Sequence, residues 1–307
     1  MKRAQNVLIV TAGLGNGHKS AANGLKQQEE ELGNDVQIIA IEDISIMGKI
    51  MKFLFSKLPE SILNNLYDSS NYITPKVKDK LFYLWGFRSL VKYIKNTDPD
   101  KIIYTFPALA LITPKEFKGI VTIQVTDYQT FQLTWLWGNF DTISVLDKKS
   151  YEYFLQYVSY KKIKIVNFPL ESKMKTMKTM QQGHKLKEIL LLFHFYLFGN
   201  EKEMILKIQK KFPDYKIIIL AGKNYNFFTK TFSEIDQENP VTILPWIDNI
   251  NEYYERVSIV GGKCGGAFIS EVMQRNLPLI ITGVFSRQEE GNFAYLQNVY
   301  SHNLISI

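Results

Sequence analysis

Near its start the chain runs NVLIVTA (Asn6–Ala12), then Gly13-Leu14-Gly15-Asn16-Gly17, then a helical pattern from His18 to Leu32 closed by Gly33-Asn34. A continuous, β-branched apolar run of this kind is a strand buried on both faces, which restricts it to a parallel sheet wrapped by helices. A glycine turn leading from such a strand into a helix brings backbone amides and a helix N-terminus to the strand's carboxyl end. That is where α/β proteins bind ligands. The same order recurs late in the chain: Val257–Val260 leads into Gly261-Gly262-Lys263-Cys264-Gly265-Gly266 and a helix from Ala267 to Arg275.

Further strands are expected at Val36–Ile41, Lys101–Thr105, Ile120–Thr126 and, as the last of the first half, Thr142–Leu146. In the second half they are expected at Glu188–Phe193, Lys216–Ala221, Val241–Leu244 and Leu279–Thr282, with Asn200 and Glu203 as a capping box opening a helix to Phe212. Residues 171–187, with KMKTMKTM and Gln-Gln-Gly, are polar and lack a strand pattern, which suits a linker. The fold class is therefore α/β in two Rossmann-like domains, residues 1–170 and 188–307. A ligand cleft is expected between them.

The single cysteine, Cys264, excludes an internal disulfide framework and a Cys-rich zinc site, and fits a reducing, cytoplasmic setting. No signal peptide is visible, and Ile189–Phe198 is about half of the ~20 apolar residues a spanning helix needs. The net charge is +7, and residues 48–95 hold nine Lys or Arg against three Asp or Glu. Nine aromatics lie among them, including Phe53, Phe55, Phe82, Trp85 and Phe87. Basic residues mixed with large apolar ones suit an anionic membrane surface. Nucleic acid is disfavoured, because no helix-turn-helix, zinc-finger or RNP pattern accompanies the charge. A plain Lys-rich helical face is the competing reading.

The first glycine turn fits neither common phosphate motif. Three residues, not four, separate Gly13 from Gly17, and His18 precedes Lys19-Ser20, so it is not a P-loop. A Rossmann fingerprint needs a small residue at His18 and an acid at the end of the next strand, and no acid is expected there. What remains is a turn whose glycines let backbone approach a ligand, with a histidine on the first helical turn. The positive helix-end potential favours the neutral imidazole, as a general base requires. In the second turn, the amides at the helix start and Lys263 suit a diphosphate. Glu271 on that helix can accept hydrogen bonds from vicinal hydroxyls, and Gln288-Glu289-Glu290-Gly291-Asn292 is expected as a polar loop for sugar hydroxyls.

Together VLIVTAGLGNGHKSAA (7–22), VTDY (125–128), AGKN (221–224), GGKCGGAFISEVMQRNLPLII (261–281) and QEEGN (288–292) resemble the family 28 glycosyltransferases. Within these the chain is most similar to monogalactosyldiacylglycerol synthases and bacterial processive diacylglycerol glucosyltransferases. The resemblance implies a GT-B fold whose two domains face a central cleft, the first binding a lipid acceptor and the second a UDP-sugar. It implies inverting transfer of glucose or galactose to diacylglycerol or a similar lipid, with no metal or other cofactor, at the inner face of the cell membrane.

In that scheme His18 takes the acceptor proton, and Asp127 orients His18 or the acceptor. Gly15 and Gly17 lie against the donor, and Gly262, Lys263, Gly265 and Gly266 steady the departing UDP. Glu271 binds ribose, Trp246 and Ile247 pack on uracil, and Gln288 and Glu289 take the hexose hydroxyls. The chain departs from the family pattern at Phe106, where Thr-His-Pro is usual, and at Phe131, near which a histidine is usual. Relatives also continue beyond the position of Ile307 into further helices. Two other readings stay open: an N-acetylglucosaminyl transferase acting on a polyprenyl-diphosphate lipid, and a nucleotide-sugar or lipid-binding protein with a decayed site. Gly17-His18 and Gln288-Glu289 favour the glycolipid branch over the former, which usually shows Gly-Gly-His and a Gln-Gln pair.

Overall fold

A computed structural model describes residues 3–13, 16–55, 57–58, 60–70, 72, 87–171, 185–193, 197, 199–232 and 241–307. Gly15, most of the 171–187 linker, and the Lys76, Phe82 and Trp85 part of the basic segment lie outside them. The chain divides into two compact units, Met1–Ser172 with Ser286–Asn292, and Lys173–Phe285 with Phe293–Ile307.

Among the described residues the first unit is built on a six-stranded parallel sheet, ordered β2-β1-β3-β4-β5-β6. Its strands are β1 (Asn6–Thr11), β2 (Asp35–Ala40), β3 (Lys101–Tyr104), β4 (Ile120–Gln124), β5 (Thr142–Val145) and β6 (Ile163–Ile165). Helices α1 (Asn16–Glu31), α2 (Ile46–Phe55), α3 (Glu60–Ser70), α4 (Arg88–Thr97) and α5 (Lys148–Phe154) accompany it. The central strand β1 shows why an unbroken apolar run was needed. Leu8 and Val10 enter a core shared with Ile102, Tyr104 and Phe154, while Val7 and Ile9 enter another shared with Ala22 and Leu25 of α1. With side chains alternating across the sheet, every residue of Val7–Val10 has a core to fill. β6 was not expected: its three residues, Ile-Lys-Ile, are too short and too polar at the centre to signal a strand, yet they pair in parallel with β5.

Among the described residues the second unit has a five-stranded parallel sheet in the order β11-β10-β7-β8-β9. The strands are β7 (Leu186–Leu192), β8 (Lys216–Leu220), β9 (Val241–Leu244), β10 (Val257–Lys263) and β11 (Leu279–Gly283). The helices are α6 (Glu201–Lys211), α7 (Tyr225–Phe232), α8 (Asn251–Arg256), α9 (Gly266–Gln274) and α10 (Ser286–Val299), whose first half groups with the first unit. Ile189, Leu191, Ile217 and Ile219 pack on Ile205 and Ile208 of α6 and on Phe228 of α7.

Three local expectations are corrected. Gly261 and Gly262 belong to β10, paired with Ile280 and Ile281 of β11, so the turn itself is only Cys264-Gly265. The QEEGN segment is helical rather than a loop, lying in the first half of α10. Asn200 makes no side-chain cap; instead the Glu201 carboxylate accepts the Gly199 N–H, at 3.1 Å from each oxygen. In the first two cases the segment's glycine content or polarity hid the regular structure that its neighbours impose.

Candidate functional site

In the first sheet the strand order reverses at β1, whose neighbours β2 and β3 lead away in opposite senses. A crevice therefore opens beyond the carboxyl ends of β1 and β3. His18 stands there, in the first turn of α1, and is buried. Its Nδ1 lies 2.7 Å from the carbonyl oxygen of Thr105, the residue following β3, and 3.0 Å from Thr126 Oγ1 beyond β4. A carbonyl only accepts, so Nδ1 carries the proton and Nε2 is the basic nitrogen of the neutral ring. Thr105 is itself fixed, its hydroxyl donating to Thr11 Oγ1 at 2.8 Å. Three buried threonines at the ends of three adjacent strands thus fix this imidazole's setting. The Phe106 ring meets His18 edge-on, with centroids 4.9 Å apart. Phe131 instead packs on Tyr153, at 5.1 Å, and remains 45% exposed.

Asp127 is brought together with Gln288, although the family resemblance implies separate tasks for them. Gln288 Nε2 donates to Asp127 Oδ2 at 2.7 Å, and Asn292 Nδ2 donates to Oδ1 at 3.0 Å. Asn292, fully buried, also accepts the Tyr128 N–H through Oδ1 at 2.7 Å. Arg287 adds an ion pair to Asp68 at 2.9 Å, and its backbone N–H donates to Asn64 Oδ1 at 2.9 Å. These bonds explain why Ser286–Asn292 groups with the first unit. Gly291 is required by contact: a Cβ there would stand 2.6 Å from the carbonyl oxygens of Tyr128 and Gln129. Glu289, on the same helix, is buried.

The expectation that no acid follows β2 is wrong. Glu42 stands there, buried, and its Oε2 accepts the Gly13 N–H at 3.0 Å while Lys52 reaches Oε1 at 3.0 Å. Burial pushes this carboxyl up, but the Gly13 amide, its own backbone amide and Lys52 outweigh that and hold it below the usual value. The protein thus supplies its own anion to the entrance of the first glycine turn. At Gly17 the space is open, since a Cβ would meet no atom within 4 Å.

The second sheet reverses between β10 and β7, so its crevice lies past the end of β10, where the second turn stands. Within that turn the Cys264 N–H is taken by Gly283 O at 3.0 Å and the Gly265 N–H by Lys263 O at 2.8 Å. Gly265 caps α9, and the opening amides of that helix, from Gly266 onward, have no acceptor within the helix. The amides this turn can offer an anion are thus those of the first turn of α9 rather than of the whole glycine run. Lys263 ends β10 with its Nζ 6.0 Å from the centroid of the Phe285 ring.

Glu271 lies farther along α9, where the Tyr254 hydroxyl donates to its Oε2 at 3.1 Å. Burial, and then the Glu271 charge, push the Tyr254 hydroxyl well above its usual value, keeping it a donor. Arg275 lies 4.7 Å from the centroid of the Tyr254 ring and bonds Glu271 O at 2.9 Å and Asn251 Oδ1 at 2.8 Å. Sequence reading missed Tyr254 and Arg275 because the pairing joins two helices across β10. Trp246, 55% exposed, and the half-buried Ile247 follow β9 at the carboxyl edge of the same sheet. A separate cavity of about 490 Å³, among Asn200, Lys207, Thr282 and Gln297, contains none of the residues expected to bind donor. No helix of the described residues is long and apolar enough to cross a membrane.

A family model described as monogalactosyldiacylglycerol (MGDG) synthase matches residues 18–170. The processive diacylglycerol beta-glucosyltransferase of Staphylococcus saprophyticus is 25% identical over 311 residues, covering 95% of this chain and 79% of that protein. A Bacillus cereus protein of the same name (strain 03BB102) is 25% identical over 327 residues, covering 97% and 81%. The crystal structure of Acinetobacter baumannii MurG matches with a TM-score of 0.58 at 13% identity, covering 96% of this chain and 83% of that one. At that identity the likeness speaks for the fold alone. The chain is a glycosyltransferase of GT-B fold that resembles the family 28 enzymes, among them the monogalactosyldiacylglycerol synthases and the processive diacylglycerol glucosyltransferases.

Proposed function

We propose that the protein transfers a hexose, glucose or galactose, from a UDP-sugar to diacylglycerol or a similar membrane lipid, in one inverting displacement. The observation that carries the reading is the setting of His18. With Nδ1–H committed to Thr105 O at 2.7 Å, Nε2 is the proton acceptor for the lipid hydroxyl as it attacks the anomeric carbon. The acceptor class is that in the names of the relatives, both diacylglycerol glucosyltransferases.

The donor is assigned to the second glycine turn. The opening amides of α9, with Gly262, Lys263, Gly265 and Gly266 around them, hold the diphosphate and stabilise the charge that UDP gains on leaving. No metal or cofactor is needed for that task. Glu271, steadied by Tyr254, binds the ribose hydroxyls, and Trp246 and Ile247 pack on uracil. Gln288, whose amide nitrogen faces Asp127, presents its carbonyl oxygen to the hexose, with Glu289 beside it.

The enzyme works from an anionic, cytoplasmic membrane face. Support comes from α2, α3 and residues 57–58 between them, where Ile46, Ile50, Phe53, Leu54, Ile62 and Leu66 are exposed alongside Lys49, Lys52 and Lys57. The test is to incubate purified protein with radiolabelled UDP-glucose or UDP-galactose and diacylglycerol vesicles, then extract the lipid. Label in the lipid phase, unaffected by a chelator, is the expected outcome. Tight UDP binding without labelled lipid contradicts it and favours a binding protein.

A further inference from the structure

Asp127 was expected to act close to the reaction, yet its carboxylate is committed to the protein. Oδ1 takes the Asn292 amide, and Oδ2 takes the Gln288 amide at 2.7 Å and faces Thr126 Oγ1 at 3.4 Å. Thr126 Oγ1 in turn lies 3.0 Å from His18 Nδ1. Because Nδ1 already bears the proton that goes to Thr105 O, the Thr126 hydroxyl can only accept there. Its own hydrogen is then left for Asp127, which can only accept. His18, Thr105, Thr126 and Asp127 are all buried, so the order of donors and acceptors is not scrambled by solvent.

We propose that Thr126 is a positioning residue for the base. It couples the charge of Asp127 to the far side of the His18 ring, and Asn292 and Gln288 of α10 hold Asp127 for that purpose. The coupling has two consequences. It adds a second acceptor to Nδ1–H, which secures Nε2 as the basic atom. It also orients a hydroxyl dipole, backed by a carboxylate, toward the imidazolium that forms once Nε2 has taken the acceptor proton. The 3.4 Å link is longer than an ordinary O–H···O bond of about 2.5–3.0 Å, so the effect is smaller than direct carboxylate–imidazole contact would give. This inference rests on the assignment of His18 as base.

Three variants in the vesicle assay test it: Thr126→Val, which keeps the shape and removes the hydroxyl, Thr126→Ser, which restores it, and His18→Ala. Thr126→Val is expected to lower kcat about tenfold, with KM for the UDP-sugar unchanged, and Thr126→Ser to recover most of the rate. A Thr126→Val kcat within twofold of the parent, with His18→Ala inactive, overturns the coupling and leaves the base assignment standing. A loss that Ser does not restore, or that falls on KM, also overturns it, because packing would then be the cause. Full activity of His18→Ala, or no transfer by the parent, removes the base assignment and this inference with it.

Discussion

Glu42 accepts the backbone N–H of Gly13 at 3.0 Å, so an acid at the end of β2 grips the turn at the end of β1. Since its carboxyl is held below its usual value, the folded protein favours the ionised form more than the unfolded chain does. The resulting stability is present above the unfolded carboxyl range and lost as pH falls through the lower folded value. Glu42→Gln is therefore expected to lower Tm at pH 7, at a cost of about 1.5–3 kcal/mol for a charged hydrogen bond. The Tm gap to the parent should narrow steadily as pH falls below about 4.5, the usual value. Thermal melts across that range check this; a gap independent of pH would contradict it.

Gly13 cannot carry a side chain while Glu42 is in place, since a Cβ would stand 1.8 Å from Glu42 Oε1. Gly13→Ala must therefore displace the carboxylate, and it removes the same interaction as Glu42→Gln. The two changes should be non-additive, the double variant being little less stable than the worse single one. Denaturant titrations of the four proteins measure this, and simple additivity would argue that the two residues act apart.

Asn292 uses both ends of its amide, donating to Asp127 and accepting from Tyr128. Asn292→Ala leaves a buried backbone N–H and a buried carboxylate oxygen each short of a partner, at roughly 1–3 kcal/mol for each. A drop in Tm of several degrees or more is expected. A melt like the parent's would show that water replaces the amide without cost.

The exposed face of α2 offers a direct test of membrane attachment. Ile46 is 78% and Phe53 63% exposed, with Lys49 beside them. Reversing charge at Lys49 and Lys57 and replacing Phe53 by Ser should release the protein from anionic vesicles in a sedimentation assay, leaving neutral vesicles little affected. Unchanged sedimentation would remove this face from the account. Lys52 is kept in these variants because it pairs with Glu42.

Much of this architecture is legible in the sequence because its strands are buried on both sides. Val7–Val10 and Ile189–Leu192 have no polar interruption, and such runs admit few alternatives to a parallel sheet. The turns after β1 and β10 are legible for a similar reason, since glycines between a strand and a helix mark where backbone is needed bare. Other features depend on partners distant in sequence. Asp127 meets Gln288 and Asn292 across separations of 161 and 165 residues, so no local pattern could show that QEEGN would be helical and turned to the first unit. The role of Glu42 is not legible in the sequence, because an acid at a strand end gives no sign of what it binds. His18 was found as a residue, whereas its tautomer follows only from the carbonyl of Thr105.

In the proposed transfer His18 supplies the base while the second unit holds UDP independently of it. The most direct measurement compares parent and His18→Ala, reading labelled lipid formed from UDP-hexose and diacylglycerol vesicles beside calorimetric UDP affinity. The expected result is transfer lowered at least a hundredfold in His18→Ala, with UDP affinity within twofold of the parent. Parent-like transfer by His18→Ala, or UDP binding lost together with transfer, would contradict the account.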